Sequence, residues 1–264
     1  GHSAVLVTLA LAEKVGFSGK DFLLAQTLAN EIEGRLGASV LLGPLNGQMW
    51  TFLHAVGAAV ISSKVLDLDA QQIQSAIGIA LSQPQRPLQA GFFGSEAKVL
   101  LAAMAAPSGV QAARLAAAGM RAPVDVLDGP EGFAQVFAPH PLMGAYGGFG
   151  KVWLTDTLCY KVYPGCAYMD TSIDCVLTLV RTHSIDAKKV KEVHIATGPL
   201  TLGMEALAAP HLQGPDSLPT TLNFTLGYNV AAALIDKELT ARQFTRDRIR
   251  DAATWDLASR VHVT

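Results

Sequence analysis

Two lysines sit in phrases suited to anion recognition: Lys98 in Gly94-Ser95-Glu96-Ala97-Lys98, and Lys161 in Tyr160-Lys161-Val162-Tyr163-Pro164-Gly165-Cys166. The sequence around them is small and apolar, so each ammonium must reach water or meet an anion, because an unpaired buried charge is costly. If both face one cleft, they form a receptor for a carboxylate-rich small molecule. Spacing alone leaves each role open. Lys98 follows an irregular loop and opens a helix; it is either a solvated first-turn lysine, mildly disfavoured by the helix dipole, or an anion ligand acting with nearby backbone N–H groups. Lys161 stands where a strand is expected to end beside a proline-fixed turn, a common place for a ligand contact and equally for an exposed edge lysine. Tyr228 lies on a helix with Val230, Ala231, Ala232 and Ala233. It could offer a phenol to an active site, although its small neighbours favour packing.

Other chemistry-bearing residues point to less. His54 lies on an apolar helix, where a core histidine is the plainer reading. His183, His194, His211 and His262 fall near element ends or in loops. No histidine pair has zinc spacing, and the three cysteines, Cys159, Cys166 and Cys175, share no ligand spacing either, so no metal is expected. An odd cysteine count also argues against a disulfide framework and for a reducing cytoplasm. The net charge of −2 is scattered, with no basic stripe interleaved with aromatics, so nucleic acid is not an expected partner.

The elements that must carry these residues are mostly helical. With 264 residues, half of them hydrophobic and 16% charged, the chain supports a large packed core. Its positive mean hydropathy comes from alanine and leucine in amphipathic runs. No uncharged run of bilayer length is apparent, so no membrane is expected, and a buried helical core with an oligomer interface is. Helices are predicted over 3–15, from Ser18 to a cap at Gly37, over 50–66, from Asp69 to near Leu81, and over 98–118 up to Gly119. Ser18 with Asp21 and Asp69 with Gln72 have capping-box spacing, and Gly57-Ala58-Ala59 invites close helix approach. Residues 82–96, with Pro84, Pro87, Gly91 and Gly94, read as a loop long enough to have a purpose. Gly144 to Gly150 lacks the context of a phosphate cradle and reads as a hinge between a helical domain, 1–150, and an α+β domain, 151–264. In the second part strands are expected at 152–160, 191–197 and from 260, with helices at 167–181 and 224–235.

Several phrases, taken in order, resemble the MmgE/PrpD family, which includes 2-methylcitrate dehydratase, cis-aconitate decarboxylase and an iminodisuccinate epimerase. They are His2-Ser3-Ala4-Val5 before an alanine-rich helix, Phe17-Ser18-Gly19-Lys20-Asp21-Phe22, Glu31-Ile32-Glu33-Gly34-Arg35-Leu36-Gly37, Gly57-Ala58-Ala59 before Lys64-Val65-Leu66-Asp67-Leu68, Lys98 before Ala105-Ala106-Pro107-Ser108-Gly109, and Lys161-Val162-Tyr163-Pro164. No single phrase is specific; their order and spacing run over essentially the whole chain. The resemblance implies a helical domain plus a smaller α+β lid domain, a cleft site between them, a homodimer, and no metal or organic cofactor. It also implies a longer parent, with a further N-terminal helical segment and a further C-terminal stretch. The opening Gly1-His2-Ser3, without an initiator methionine, reads the same way.

Carried over by position, Lys98, Lys161 and Tyr228 match family positions that line the cleft, with Ala97 in place of a threonine. His2 matches, or neighbours, the family's first histidine and is a candidate acid/base. The second histidine aligns with Gln48, which can orient a carboxylate but cannot act as a base. Asp170 stands where some relatives have histidine. The expected function is therefore a lyase or isomerase acting on a small di- or tricarboxylate, a dehydratase or decarboxylase in kind. Lys98, Lys161, Gln48 and Asp170 would bind substrate, while His2, Lys98, Lys161 and Tyr228 would serve the chemistry. The changes at Gln48 and Asp170 keep two alternatives open: an epimerase of the same family, and a non-catalytic binding or assembly module.

Overall fold

Runs rich in alanine and leucine fold as helices because those residues lose little side-chain freedom on a helical backbone. The computed structural model describes residues 2–44, 50–82, 84 and 88–264. In chain order the α-helices are α1 (His2–Val15), α2 (Gly19–Ser39), α3 (Trp50–Val65), α4 (Ala70–Ser82), α5 (Gln89–Phe93), α6 (Leu100–Ala117), α7 (Phe133–Phe137), α8 (Asp170–His183), α9 (Pro199–Ala208), α10 (Pro219–Leu222), α11 (Leu226–Asp236), α12 (Arg246–Ile249) and α13 (Ala252–Ala258). Two short strands, β1 (Val193–Ile195) and β2 (Val261–Val263), pair in parallel with Val193 opposite Val261. A mainly α fold with a smaller α+β part is what the residue pattern implied. By its contacts the chain forms two compact units, one of residues 1–87 and 99–158, the other of residues 88–98 and 159–264.

The first unit is built around α3. Every residue from Thr51 to Ser63 is buried, and α1, α2, α4 and α6 pack about it. Small residues permit that crowding. A Cβ on Gly109 of α6 would stand 1.9 Å from the Ala55 carbonyl oxygen, so α6 meets the α3 backbone directly. Leu36, Phe52, Val56, Val60, Ala113 and Phe133 fill the surrounding core. Both capping boxes are present: Asp21 N–H donates to Ser18 Oγ at 3.2 Å, and Gln72 N–H donates to Asp69 Oδ1 at 2.8 Å. The helical run Glu96–Ala117 is long and apolar enough to cross a bilayer by length and composition, although with Glu96, Lys98 and Arg114 it is not an uncharged run. Within it, Ala105, Gly109, Ala112, Ala113 and Ala116 of α6 are buried, on a helix packed against α3 and α4.

Three local expectations fail for identifiable reasons. Helix α2 does not stop at Gly37 but runs to Ser39, because Gly37 packs inward, its would-be Cβ 3.3 Å from Leu53. Residues 152–160 are not a strand. Their backbone is drawn into a 3-10 turn, Leu154–Thr157, where Leu154 N–H and Thr155 N–H donate to the Glu31 carboxylate at 3.1 and 2.9 Å. The glycine-rich segment is no free hinge, since Arg35 of α2 donates to the carbonyls of Ala145, Gly147 and Val152, at 2.9, 2.5 and 2.6 Å, and its guanidinium lies 4.1 Å from the Phe149 ring centre. Arg35 also pairs with Glu31 at 2.6 Å, and both side chains are almost fully buried. The carboxylate is held below its ordinary value, burial being outweighed by the Leu154 and Thr155 amides and by Arg35.

In the second unit α11 is the central element, buried from Tyr228 to Leu234 and packed by α8, α13 and β2. Helix α8 is amphipathic, with Ile173, Val176, Leu177 and Val180 turned inward. Arg248 fastens the end of α11 by donating to both oxygens of Asp236, at 2.8 and 3.0 Å, while Gln243 Nε2 donates to the same carboxylate at 2.8 Å. Cys166 and Cys175 are free thiols.

Candidate functional site

The second unit contains a cavity of about 610 Å³ lined by Lys98, Lys161, Val162, Tyr163, Pro164, Gly165, Asn223, Phe224, Leu239, Thr240 and Ala241. Four loops supply these residues. Lys98 comes from a 3-10 turn, Glu96–Val99, placed after α5. Lys161 to Gly165 form the turn before α8, which is tied to the α10–α11 connection by Cys166 N–H donating to the Asn223 carbonyl at 2.7 Å. Thr221 Oγ1 donates to the Phe93 carbonyl at 2.6 Å and so joins α10 to α5. The fourth loop, Leu239 to Ala241, is braced from behind: Gln243 Oε1 accepts from Thr240 N–H at 2.7 Å and from Thr240 Oγ1 at 2.9 Å.

Electrostatically the cavity is a cation pair without acids. None of its lining residues is acidic, and among the described residues no carboxylate lies within salt-bridge distance of either ammonium. Lys161 Nζ donates to the Gly165 carbonyl at 2.8 Å and keeps further donors free. Lys98 sits over aromatic rings, its Nζ 4.3 Å from the centre of Phe224 and 5.5 Å from that of Phe92. Burial pushes Lys98 down to about 8, and the charge of Lys161 adds to the effect. The neighbouring Cys166 thiol is pushed up by its own burial and stays neutral beside them.

The remaining candidates are placed as follows. Tyr228 does not line this cavity. Its hydroxyl donates to the Gln243 carbonyl, and its ring packs 5.5 Å from Trp255 and 6.0 Å from Phe244. Burial pushes its phenol up to about 12, so it holds its proton at ordinary pH. Asp170 opens α8 and accepts from Val162 N–H at 3.4 Å, one residue from Lys161 but outside the lining; burial raises its carboxyl. Gln48 lies outside the described residues, and so does the side chain of His2, whose backbone begins α1. His54 is buried in the first unit, its Nδ1 2.6 Å from Ser3 Oγ, as a core histidine should be. Among the described residues no group of three or more His, Cys, Asp or Glu side chains could hold a metal ion.

Phe224, Phe92 and Thr240 were not foreseen. The signal for Phe92 lay in residues 82–96, which read as a purposeful loop but form α5 at Gln89–Phe93, and where Phe92-Phe93 are the only large apolar pair shortly before a lysine. Phe224 looked like the first turn of a helix; it stands instead two residues ahead of α11 and faces the cavity.

Residues 2–144 match the MmgE/PrpD N-terminal domain, and residues 163–264 match the MmgE/PrpD C-terminal domain. The chain belongs to the MmgE/PrpD family. It is similar to the cis-aconitate decarboxylase of Aspergillus terreus, 24% identical over 290 residues that cover 98% of this chain and 58% of that protein. The Mus musculus cis-aconitate decarboxylase is 24% identical, covering 96% of this chain and 52% of its own length. The Homo sapiens protein of the same name is 29% identical over 165 residues, 59% of this chain and 33% of that protein. This MmgE/PrpD chain thus spans a little over half the length of the Aspergillus and mouse relatives.

Proposed function

We propose that this chain supplies the carboxylate-gripping part of a lyase-type enzyme whose substrate is a small di- or tricarboxylate of the cis-aconitate kind. The observation that carries the reading is the placement of two ammonium groups, Lys98 and Lys161, on one cavity whose lining includes no acid. A single cation would hold any anion. Two on the wall of one cavity suit a ligand with more than one carboxylate, and in a half-buried site each charge-assisted bond contributes more than it would in water. Names borne by the relatives, cis-aconitate decarboxylase among them, agree with that ligand chemistry.

Loss of a carboxylate as CO2 leaves a carbanion that must be protonated, and dehydration likewise needs a proton moved near neutral pH. Of the cavity-lining groups, Lys98 is the one shifted toward that range, so it is assigned both to grip a carboxylate and to pass a proton. The binding-module reading keeps one observation in its favour, the commitment of the Tyr228 hydroxyl to a backbone carbonyl. A homodimer remains part of the proposal, read out by light scattering. The deciding experiment is calorimetric titration of cis-aconitate into the full-length protein and its Lys161→Ala variant. Much weaker binding in the variant is expected; equal affinity would end the assignment. Itaconate-type product or CO2 release separates the lyase from the binding module, and solvent-deuterium uptake into unchanged substrate marks the epimerase.

A further inference from the structure

Lys98 presents a physical puzzle that the two-lysine reading does not solve. Its ammonium is partly removed from water and stands on the same cavity as a second cation, yet among the described residues no carboxylate pairs with it at salt-bridge distance. What lies against it is an aromatic surface. Nζ is 4.3 Å from the Phe224 ring centre and 5.5 Å from that of Phe92, both inside the range where a ring's negative face attracts a cation.

That surface is rigid. Phe92 and Phe93 meet edge to face with centroids 4.8 Å apart, and Phe93 meets Phe224 in the same way at 4.9 Å. All three rings are nearly fully buried. The backbone around Phe224 is fixed on both sides, by the Asn223 carbonyl accepting from Cys166 N–H and by Glu205 accepting from Leu226 N–H at 2.6 Å. A carboxylate in this place would neutralise Lys98 and compete with any incoming anion. An aromatic face stabilises the cation without cancelling its charge and leaves its N–H donors for the ligand.

We propose that Phe224, backed by Phe92, is a positioning residue that holds the Lys98 ammonium at the cavity wall and keeps it charged there while no anion is bound. The consequence for ligand binding rests on the carboxylate reading above; the contact between ring and lysine does not. Without the ring, burial and the Lys161 charge would act on Lys98 with only the neighbouring Cys166 thiol opposing them, and its proton would leave at lower pH.

The test uses the full-length protein carrying [ε-13C]lysine, with the Lys98 resonance assigned by its disappearance in Lys98→Arg. In the wild type the Lys98 ε-protons are expected upfield, in the ring current of Phe224, with a titration midpoint near 8. In Phe224→Leu the upfield displacement should vanish and the midpoint fall by about one unit. Should that variant fail to fold, the wild-type chain made with 4-fluorophenylalanine keeps the shape and weakens the ring face, and the midpoint must still fall. Cis-aconitate affinity at pH 8 should drop severalfold in Phe224→Leu, and the gap should narrow at pH 6. A Lys98 shift and midpoint unchanged by either alteration would overturn the proposal. If cis-aconitate fails to bind even the wild type, the carboxylate reading is lost while the resonance still decides the role of Phe224.

Discussion

The two units handle charge in opposite ways. In the first, Glu31 and Arg35 are buried, paired with each other, and supplied with further partners: two amides for the carboxylate, three carbonyls and a ring for the guanidinium. In the second, Lys98 and Lys161 stand on one cavity with no acid in its lining. Satisfied ions fix a chain, whereas unsatisfied ions wait for something. The contrast separates structural charge from ligand-binding charge more sharply than residue type does, since both sets occupy recognisable family phrases.

The strongest way to break the contrast is Arg35→Met. It leaves Glu31 buried with its ion partner gone and frees the carbonyls of Ala145, Gly147 and Val152, a loss of about 3–5 kcal/mol. Urea unfolding followed by far-UV circular dichroism should show it, and a loss below about 1 kcal/mol would mean that the pair is not structural. Next comes Lys161→Ala, expected to weaken cis-aconitate binding about ten- to a hundredfold, the worth of one charge-assisted hydrogen bond, with little change in unfolding midpoint because Lys161 is exposed. Matching losses in both properties would make Lys161 a structural cation after all.

The third comparison is with pH. Lys98 titrates near 8 in the folded chain and at its ordinary, higher value when unfolded, so between about 8 and 10.5 the unfolded state binds more protons. Stability from this group therefore rises with pH across that window, while anion affinity falls as Lys98 loses its proton above 8. In Lys98→Met both dependences should disappear, the first by denaturant titration at pH 7 and 10, the second by calorimetry. The smallest effect belongs to Tyr228→Phe, which removes one hydroxyl donated to the Gln243 carbonyl. About 1 kcal/mol of stability should go, and cis-aconitate affinity should stay within about twofold. A loss of affinity without loss of stability would return Tyr228 to the site.

Local rules made the helices legible. Capping boxes at Ser18 and Asp69 are decided within four residues, and small-residue runs such as Gly57-Ala58-Ala59 announce close packing wherever they fall. The two lysines stood out because charge is scarce around them. What could not be read depended on distant partners. Residues 152–160 read as a strand, yet two amides there answer to a carboxylate more than 120 positions earlier. Gly144 to Gly150 has the composition of a hinge, but one arginine on α2 overrides it. Tyr228 was legible as a packing residue from its neighbours; the family phrase suggested a catalytic phenol, and the Gln243 carbonyl that engages it has no signature in the sequence.

The grip of α2 on the glycine-rich stretch has a kinetic corollary. Arg35 and Glu31 stand one helical turn apart and together hold residues 145–155, so that stretch cannot loosen piecemeal while the turn is intact. Amide protons at Leu154 and Thr155 should then exchange with solvent only when the C-terminal half of α2 unwinds, at one shared rate. A glycine-rich surface segment would register the opening of a buried helix.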